Sequence, residues 1–236
     1  MEPTPPPLSN DLCQACAIRN RAICADLDSR EISLLNRLGR RRKLTAGEHL
    51  MWEGDEAVLV ANVLEGVLKL SSHSSDGKEQ ILGLVYPSDF LGRPFGQTSP
   101  YGVEALTDAY ICVFERKDFD RFAREHPRLE HKLLERTLSE LDRSRRWMVL
   151  LGRMTAEQKV ASFLLEMSER LGTSQIDGTR FVTLPLSRQQ IADVLGLTIE
   201  TVSRQMTRLR DDGMIKLPSR REIILRSENE LRERTL

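Results

Sequence analysis

Two groups of residues in this chain have the types and spacing to do chemistry. The first is a set of cysteines. Cys13, Cys16 and Cys24 follow a C-x2-C-x7-C spacing, and Cys112 stands alone in an apolar stretch far along the chain. Four thiolates suit either one tetrahedral zinc ion or one iron–sulfur cluster, and spacing does not choose between them. A structural zinc knuckle more often uses two close pairs. A distant fourth ligand would tie the N-terminal arm to the rest of the fold, so that losing the metal changes tertiary structure, as a switch requires. Arg19 and Arg21 would add positive potential beside an anionic cluster. The alternative is a set of buried or incidental thiols, the plainer reading for Cys112 taken alone.

The second group lies in residues 186–215, LSRQQIADVLGLTIETVSRQMTRLRDDGMI, which have the layout of a helix-turn-helix. Ser187 is a good N-cap, and Gln190 three positions on completes a capping box. Ile191, Ala192, Val194 and Leu195 form the buried stripe of the first helix, Gly196 supplies the turn, and Thr198 caps the second helix. On that second helix Ile199, Val202, Met206 and Leu209 are expected to pack inward, leaving Glu200, Ser203, Arg204, Thr207 and Arg208 outward. Glu200, Ser203 and Arg204 suit base edges, since Arg donates twice to guanine and Glu accepts from the cytosine amino group. Ser187, Arg188, Gln189 and Arg208 are candidates for phosphate. Beyond Gly213, IKLPSRREIIL reads as a β-hairpin with a basic tip at Ser219, Arg220 and Arg221, the wing of a winged helix. The competing reading is an ordinary αα-hairpin with a charged face.

The elements that must position these groups follow from texture. Residues 1–29 comprise a Pro-rich arm (Pro3, Pro5, Pro6, Pro7) and the cysteine segment, followed by a helical pattern at Ile32, Leu34, Leu35 and Leu38 that ends at Gly39. From Leu44 to Phe114, short apolar runs alternate with Gly-containing turns, the pattern of an all-β roll or barrel. A sensor roll is therefore assigned to residues 30–117. A short helix, Asp118 to Glu125, is stopped at His126-Pro127, and Arg128 to Leu151 then runs as one helix of about 24 residues, roughly 36 Å long. Leu134, Thr137, Leu141, Ser144, Met148 and Leu151 step by three and four, the seam of a two-stranded parallel coiled coil; the alternative is a single amphipathic helix packed on its own domain. Thr137 and Ser144 are poor seam residues, and Arg143, Arg145 and Arg146 would crowd it, so the seam reads as weak, a property that suits conditional dimerisation. The dimer-helix region spans residues 118–152 and the DNA-binding part residues 153–236, opening with an amphipathic helix, Thr155 to Leu171, and a polar loop. The fold class expected is α+β.

Composition limits the function. The 236 residues carry 35 Lys+Arg against 35 Asp+Glu, which excludes coating nucleic acid by bulk charge. The zero hides structure: residues 1–43 hold 8 basic and 5 acidic groups, 44–112 hold 3 and 10, and 113–226 hold 22 and 17. An acidic middle masks basic flanks. No apolar run approaches the roughly 20 residues that span a bilayer, and MEPTPPPLSND lacks the basic start and apolar core of a signal peptide. A cytoplasmic protein with reduced cysteines and no membrane partner is expected.

With those residues in place, the chain resembles the Crp/Fnr family of bacterial transcription regulators, in the order of its parts and in Ser187-Arg188-Gln189, the Gly196 turn and Glu200-Thr201-Val202-Ser203-Arg204. Glu-x-x-Ser-Arg resembles the Fnr branch, and the x7 cysteine gap is similar to FnrN/FixK-like regulators. The resemblance implies one oxygen-labile 4Fe-4S cluster per subunit on Cys13, Cys16, Cys24 and Cys112. It also implies a homodimer that binds inverted TTGAT-like half-sites of double-stranded DNA when oxygen is absent, and contact with RNA polymerase through a surface loop such as Asp76-Gly77-Lys78-Glu79. A plain exposed hairpin turn explains that last segment equally well.

Other ligands and classes have less behind them. The family's cyclic-nucleotide pocket uses Gly-Glu followed by Arg-Ser or Arg-Thr; residues 89–106 contain Arg93 and Ser99 apart, with Pro94 and Pro100 nearby, which argues against cyclic-nucleotide control. A structural zinc, or a haem or nitric-oxide sensor using His49, His73, His126, His131 or a Cys, remains the alternative within the family, although no local pattern favours haem. A cupin enzyme would want clustered His and Glu ligands, whereas His49 and His73 sit apart. An iron–sulfur electron-transfer protein would leave the recognition helix unexplained, and a radical enzyme would need a more compact cysteine loop. No catalytic constellation is present, so a non-enzyme is expected.

Overall fold

The computed structural model describes residues 13, 15–73 and 79–235. The N-terminal arm and the Asp76-Gly77-Lys78 turn lie outside these residues. The chain first forms α1 (Ser29–Leu38), β1 (Gly39–Leu44), β2 (His49–Met51), β3 (Leu59–Glu65), β4 (Leu68–His73), β5 (Glu79–Val85), β6 (Phe90–Gly92), β7 (Gly102–Ala105) and β8 (Ala109–Glu115). Three helices follow, α2 (Arg116–Glu125), α3 (Pro127–Arg153) and α4 (Ala156–Leu171). The C-terminal part contains β9 (Thr173–Ser174), β10 (Arg180–Thr183), α5 (Arg188–Leu195), α6 (Ile199–Asp211), β11 (Ile215–Lys216), β12 (Glu222–Leu225) and α7 (Glu228–Glu233). Two compact units result. One comprises the described residues up to 68 together with 85–139, the other 69–84 with 140–236, so the division falls inside α3.

In the first unit, α1 starts where Asp28 accepts from the Arg30 and Glu31 N–H groups and Glu31 answers by accepting from the Asp28 N–H, a reciprocal cap. Its buried residues are Ile32 and Leu35, while Leu34 faces out. The antiparallel sheet β1-β8-β3-β6 places β8 near its centre, in register Arg41↔Cys112 on one side and Asn62↔Cys112 on the other. Within the roll assigned to residues 30–117, strand texture is readable only from Leu44, whereas the sheet begins at Gly39. GRRRKL lacks apolar alternation because β1 is an exposed edge strand, so hydrophobic pattern could not reveal it. The three-residue strand β6 and the four-residue β7 are too short to carry a recognisable strand pattern. Ile23, Leu27, Ile32, Leu35, Phe114, Phe119, Phe122 and Leu129 form one core, with Cys13, Cys24, Cys112 and Leu133 packed against it.

Helix α3 extends to Arg153 rather than stopping at Leu151. A glycine inside a helix costs only about 1 kcal/mol relative to Ala, and α3 carries Gly152 without breaking. Within the second unit, α4 is capped reciprocally by Thr155 and Gln158, and the antiparallel sheet β11-β12-β10-β9 joins the wing hairpin to strands preceding α5. The loop expected at 172–180 contains the short strand β9, paired with β10.

Candidate metal centre and nucleic-acid interface

Cys13, Cys16, Cys24 and Cys112 line a single pocket, whose other walls include Ile18, Leu35, Leu64 and Phe114. Short helical turns position the first three: the Cys16 N–H donates to the Cys13 carbonyl, the Arg19 N–H to the Cys16 carbonyl, and the Leu27 N–H to the Cys24 carbonyl. Ile18, Ala22, Ile23 and Leu27 anchor this segment through burial. All four cysteines are free thiols. Among the described residues, no three His, Cys, Asp or Glu side chains gather as one metal ion would hold them. The thiols line walls instead of converging on a point.

Burial pushes the Cys24 thiol up to about 11 and the Cys112 thiol up to about 12, with the neighbouring cysteines adding repulsion between thiolates. Cys13 is raised for the same reasons, against which Arg41 and Arg19 favour its ionised form. Arg41 lies opposite Cys112 on the edge strand. Arg21 is exposed, and the cation whose influence reaches both Cys13 and Cys112 is Arg41. A metal or cluster bound here must displace protons, which ties its retention to pH.

The sign for the metal-free protein follows by linkage. The folded state holds thiol protons that an unfolded cysteine releases near about pH 8.5. The unfolded state therefore binds fewer protons as pH rises, and folded stability falls between there and about 11 to 12. Thermal melts at pH 8 and pH 10 should show a larger loss for wild type than for a Cys24→Ala/Cys112→Ala variant. An equal loss would show that these thiols do not titrate late.

Three further residues shape the pocket. Asn36 Oδ1 accepts from Cys13 Sγ at 3.0 Å. Asn62 is buried beside Cys112, and its Oδ1 has no partner. Gly39 matters through space: a Cβ there would lie 2.8 Å from Phe114 Cε1 and 3.3 Å from Cys112 Sγ. Asn62 left a trace in the sequence, as a polar residue inside the apolar run VLVANVL; Asn36 and Gly39 left none.

The proposed haem ligands are scattered and partnered. His49 stacks on Trp52 and pairs with Glu104, His126 contacts the Phe122 carbonyl, and His131 pairs with Glu135. In the nucleotide region, Ser99 is buried with its hydroxyl donated to the Tyr101 carbonyl, while Arg93 faces out.

The DNA-reading motif is built from local caps. Ser187 Oγ accepts from the Gln190 N–H, Gly196 adopts a left-handed conformation at φ 61°, and Thr198 caps α6. Val202, Met206 and Leu209 are buried, and Glu200, Ser203, Arg204, Thr207 and Arg208 are exposed. Ile199 was expected to face inward but is 36% exposed. Being the first residue of α6, its side chain points back beyond the packed turn. Hydrogen bonding by its own N–H and by Thr198 holds the Glu200 carboxyl below its ordinary range, so it is an acceptor at neutral pH.

The phosphate candidates have internal partners. Arg188 is half-buried against Met206, Gln189 donates to Asp193 at 2.8 Å, and Arg208 pairs with Glu157 of α4 at 3.1 Å. The wing tip, Ser219 to Arg221, is exposed. On α3, Leu134, Thr137, Leu141, Met148 and Leu151 are exposed and Ser144 is half-buried; Leu138 and Val149 are exposed as well. Arg143 does not crowd this stripe as expected. It turns to Glu166 of α4 at 2.6 Å.

A roll carrying a cysteine-lined pocket, a long helix and a winged helix-turn-helix together have the layout of a DNA-binding regulator. Residues 158–234 match the model of the Crp-like helix-turn-helix domain, and residues 41–126 that of the cyclic nucleotide-binding domain. The transcriptional activator protein FnrL of Cereibacter sphaeroides is 44% identical over 216 residues, 90% of this chain and 87% of that protein. The nitrogen fixation regulation protein FixK of Bradyrhizobium diazoefficiens is 42% identical over 205 residues, 87% of this chain and 86% of that protein. FixK2 from Bradyrhizobium japonicum shares the fold, with a TM-score of 0.78 and 32% identity across 84% of this chain and 98% of that one. The chain belongs to the Crp/Fnr family of transcription regulators. No helix among the described residues is long and apolar enough to cross a membrane.

Proposed function

We propose that this chain is an oxygen-responsive transcriptional activator whose Cys13, Cys16, Cys24 and Cys112 hold one 4Fe-4S cluster per subunit. The observation that carries this reading is that three N-terminal cysteines and one from a central strand line the same pocket. The residues fit the group: a cluster needs thiols spread around a volume, a side chain at Gly39 would press on Phe114 and Cys112, and the Asn62 side-chain amide can present an N–H to sulfur. When bound, the cluster supplies reactivity toward dioxygen.

The protein's own part is to couple that pocket to α3. Cys13, Cys24 and Cys112 pack on the core that includes Leu129 and contacts Leu133, the first turns of α3. Lys132 Nζ reaches Asp26 Oδ2 at 3.2 Å, joining the cysteine segment to the same helix. Releasing the segment loosens the footing of α3, and with it the exposed apolar stripe through which two copies pair. The homodimer places two α6 helices on inverted TTGAT-like half-sites, and RNA polymerase is the partner at the promoter. That Ser99 gives its hydroxyl to the Tyr101 carbonyl while Arg93 is exposed supports a reading without cyclic-nucleotide control.

Protein purified without oxygen should be straw-brown, contain iron and acid-labile sulfide, and bleach in air. Colourless protein with stoichiometric zinc would overturn the proposal.

A further inference from the structure

Asn62 is an anomaly in β3. It is 2% exposed between buried Ala61 and Val63, it lines the cysteine pocket, and its Oδ1 lacks a partner. It sits opposite Cys112 in the β3–β8 ladder, and opposed residues of an antiparallel pair project to the same face. Asn36, the other amide on the pocket, is already engaged with Cys13. A buried amide oxygen without a partner is unfavourable, and leucine would fill this place in an apolar strand without that cost. The metal-free pocket therefore gives asparagine no advantage at this position.

We infer that Asn62 is a positioning residue for the iron–sulfur cluster, its side-chain N–H donating to a sulfur of the filled site; this rests on the cluster reading above. An amide exchanges its oxygen and nitrogen by a half-turn of its terminal torsion, so the side-chain N–H can be turned toward the filled site. Cluster sulfides and cysteine thiolates can only accept, and hydrogen bonds to those sulfurs help set the reduction potential. A donor here favours the more negative, reduced form.

The test is Asn62→Leu, with Asn62→Ala as a smaller second variant, in the full-length protein handled without oxygen. Three quantities are compared with wild type: iron and sulfide per subunit, the melting temperature of the metal-free protein, and the one-electron midpoint potential by dye titration. Asn62→Leu should load iron and sulfide as wild type does, and its metal-free form should melt no lower. Its midpoint should move negative, the equilibrium constant for reduction falling about tenfold, the worth of one hydrogen bond to a charged acceptor. Asn62→Ala should show the same potential shift. A lower melting temperature for metal-free Asn62→Leu would make Asn62 a structural residue and overturn the inference. So would a fully loaded variant with unchanged potential. Wild-type protein that takes up neither iron nor sulfide would overturn the cluster reading itself, and this inference with it.

Discussion

Replacing Cys112 with alanine should leave a folded protein that retains almost no iron and no longer binds its DNA site without oxygen. Cys112 lies on the central strand β8, flanked in register by Arg41 and Asn62, and is the one candidate ligand that does not come from the N-terminal segment. Removing it leaves three thiols on a single short stretch, with no thiol on the sheet to tie that stretch to the roll. The change from a half-buried thiol to a methyl is small, so folding should survive. Iron should fall from about four atoms per subunit to near none, measured with acid-labile sulfide, while circular dichroism stays close to wild type. A variant that stays brown with its full iron content would place the fourth ligand elsewhere. Alanine is preferred to serine because a hydroxyl could itself ligate iron.

Arg204→Ala should weaken binding to a TTGAT-type site by about 1–3 kcal/mol, roughly five- to 150-fold, and relax discrimination at one base pair. Arg204 is exposed on α6, and among the described residues no ion pair holds it. Arg208, one turn further on, is different: Glu157 engages it, and Glu157 also holds Arg234 at 2.5 Å. Arg208→Ala should therefore cost less, and similarly on any sequence. Fluorescence anisotropy at fixed salt on matched and singly altered half-sites separates the two. An equal loss for Arg204→Ala on unrelated DNA would make it a phosphate contact and remove it from base reading.

Legibility differed between the two sites for a physical reason. The helix-turn-helix was readable residue by residue because its determinants act over three or four positions: Ser187 with Gln190, Gly196 in its left-handed turn, Thr198 at the next cap. The exception was Ile199, which helical periodicity assigned to the core although it opens α6 and is 36% exposed. Ser187, Arg188 and Gln189 were phosphate candidates by their place at a helix N-terminus, and nothing local could show that Glu157 lies beside Arg208.

By itself, the sequence determined the caps and turn of the DNA-reading motif, the outward row Glu200, Ser203 and Arg204, and the identity of the four thiols, because these are matters of local spacing and of side-chain chemistry. Only the tertiary structure decided what surrounds those thiols. Arg41, Asn62 and Gly39 meet Cys112 through strand register and a close approach of distant segments, and the edge strand carrying Arg41 has no apolar pattern to announce it. Register depends on pairings between segments tens of residues apart, so no window of sequence contains it. The same long-range packing sets the first turns of α3 on the core that holds the cysteines.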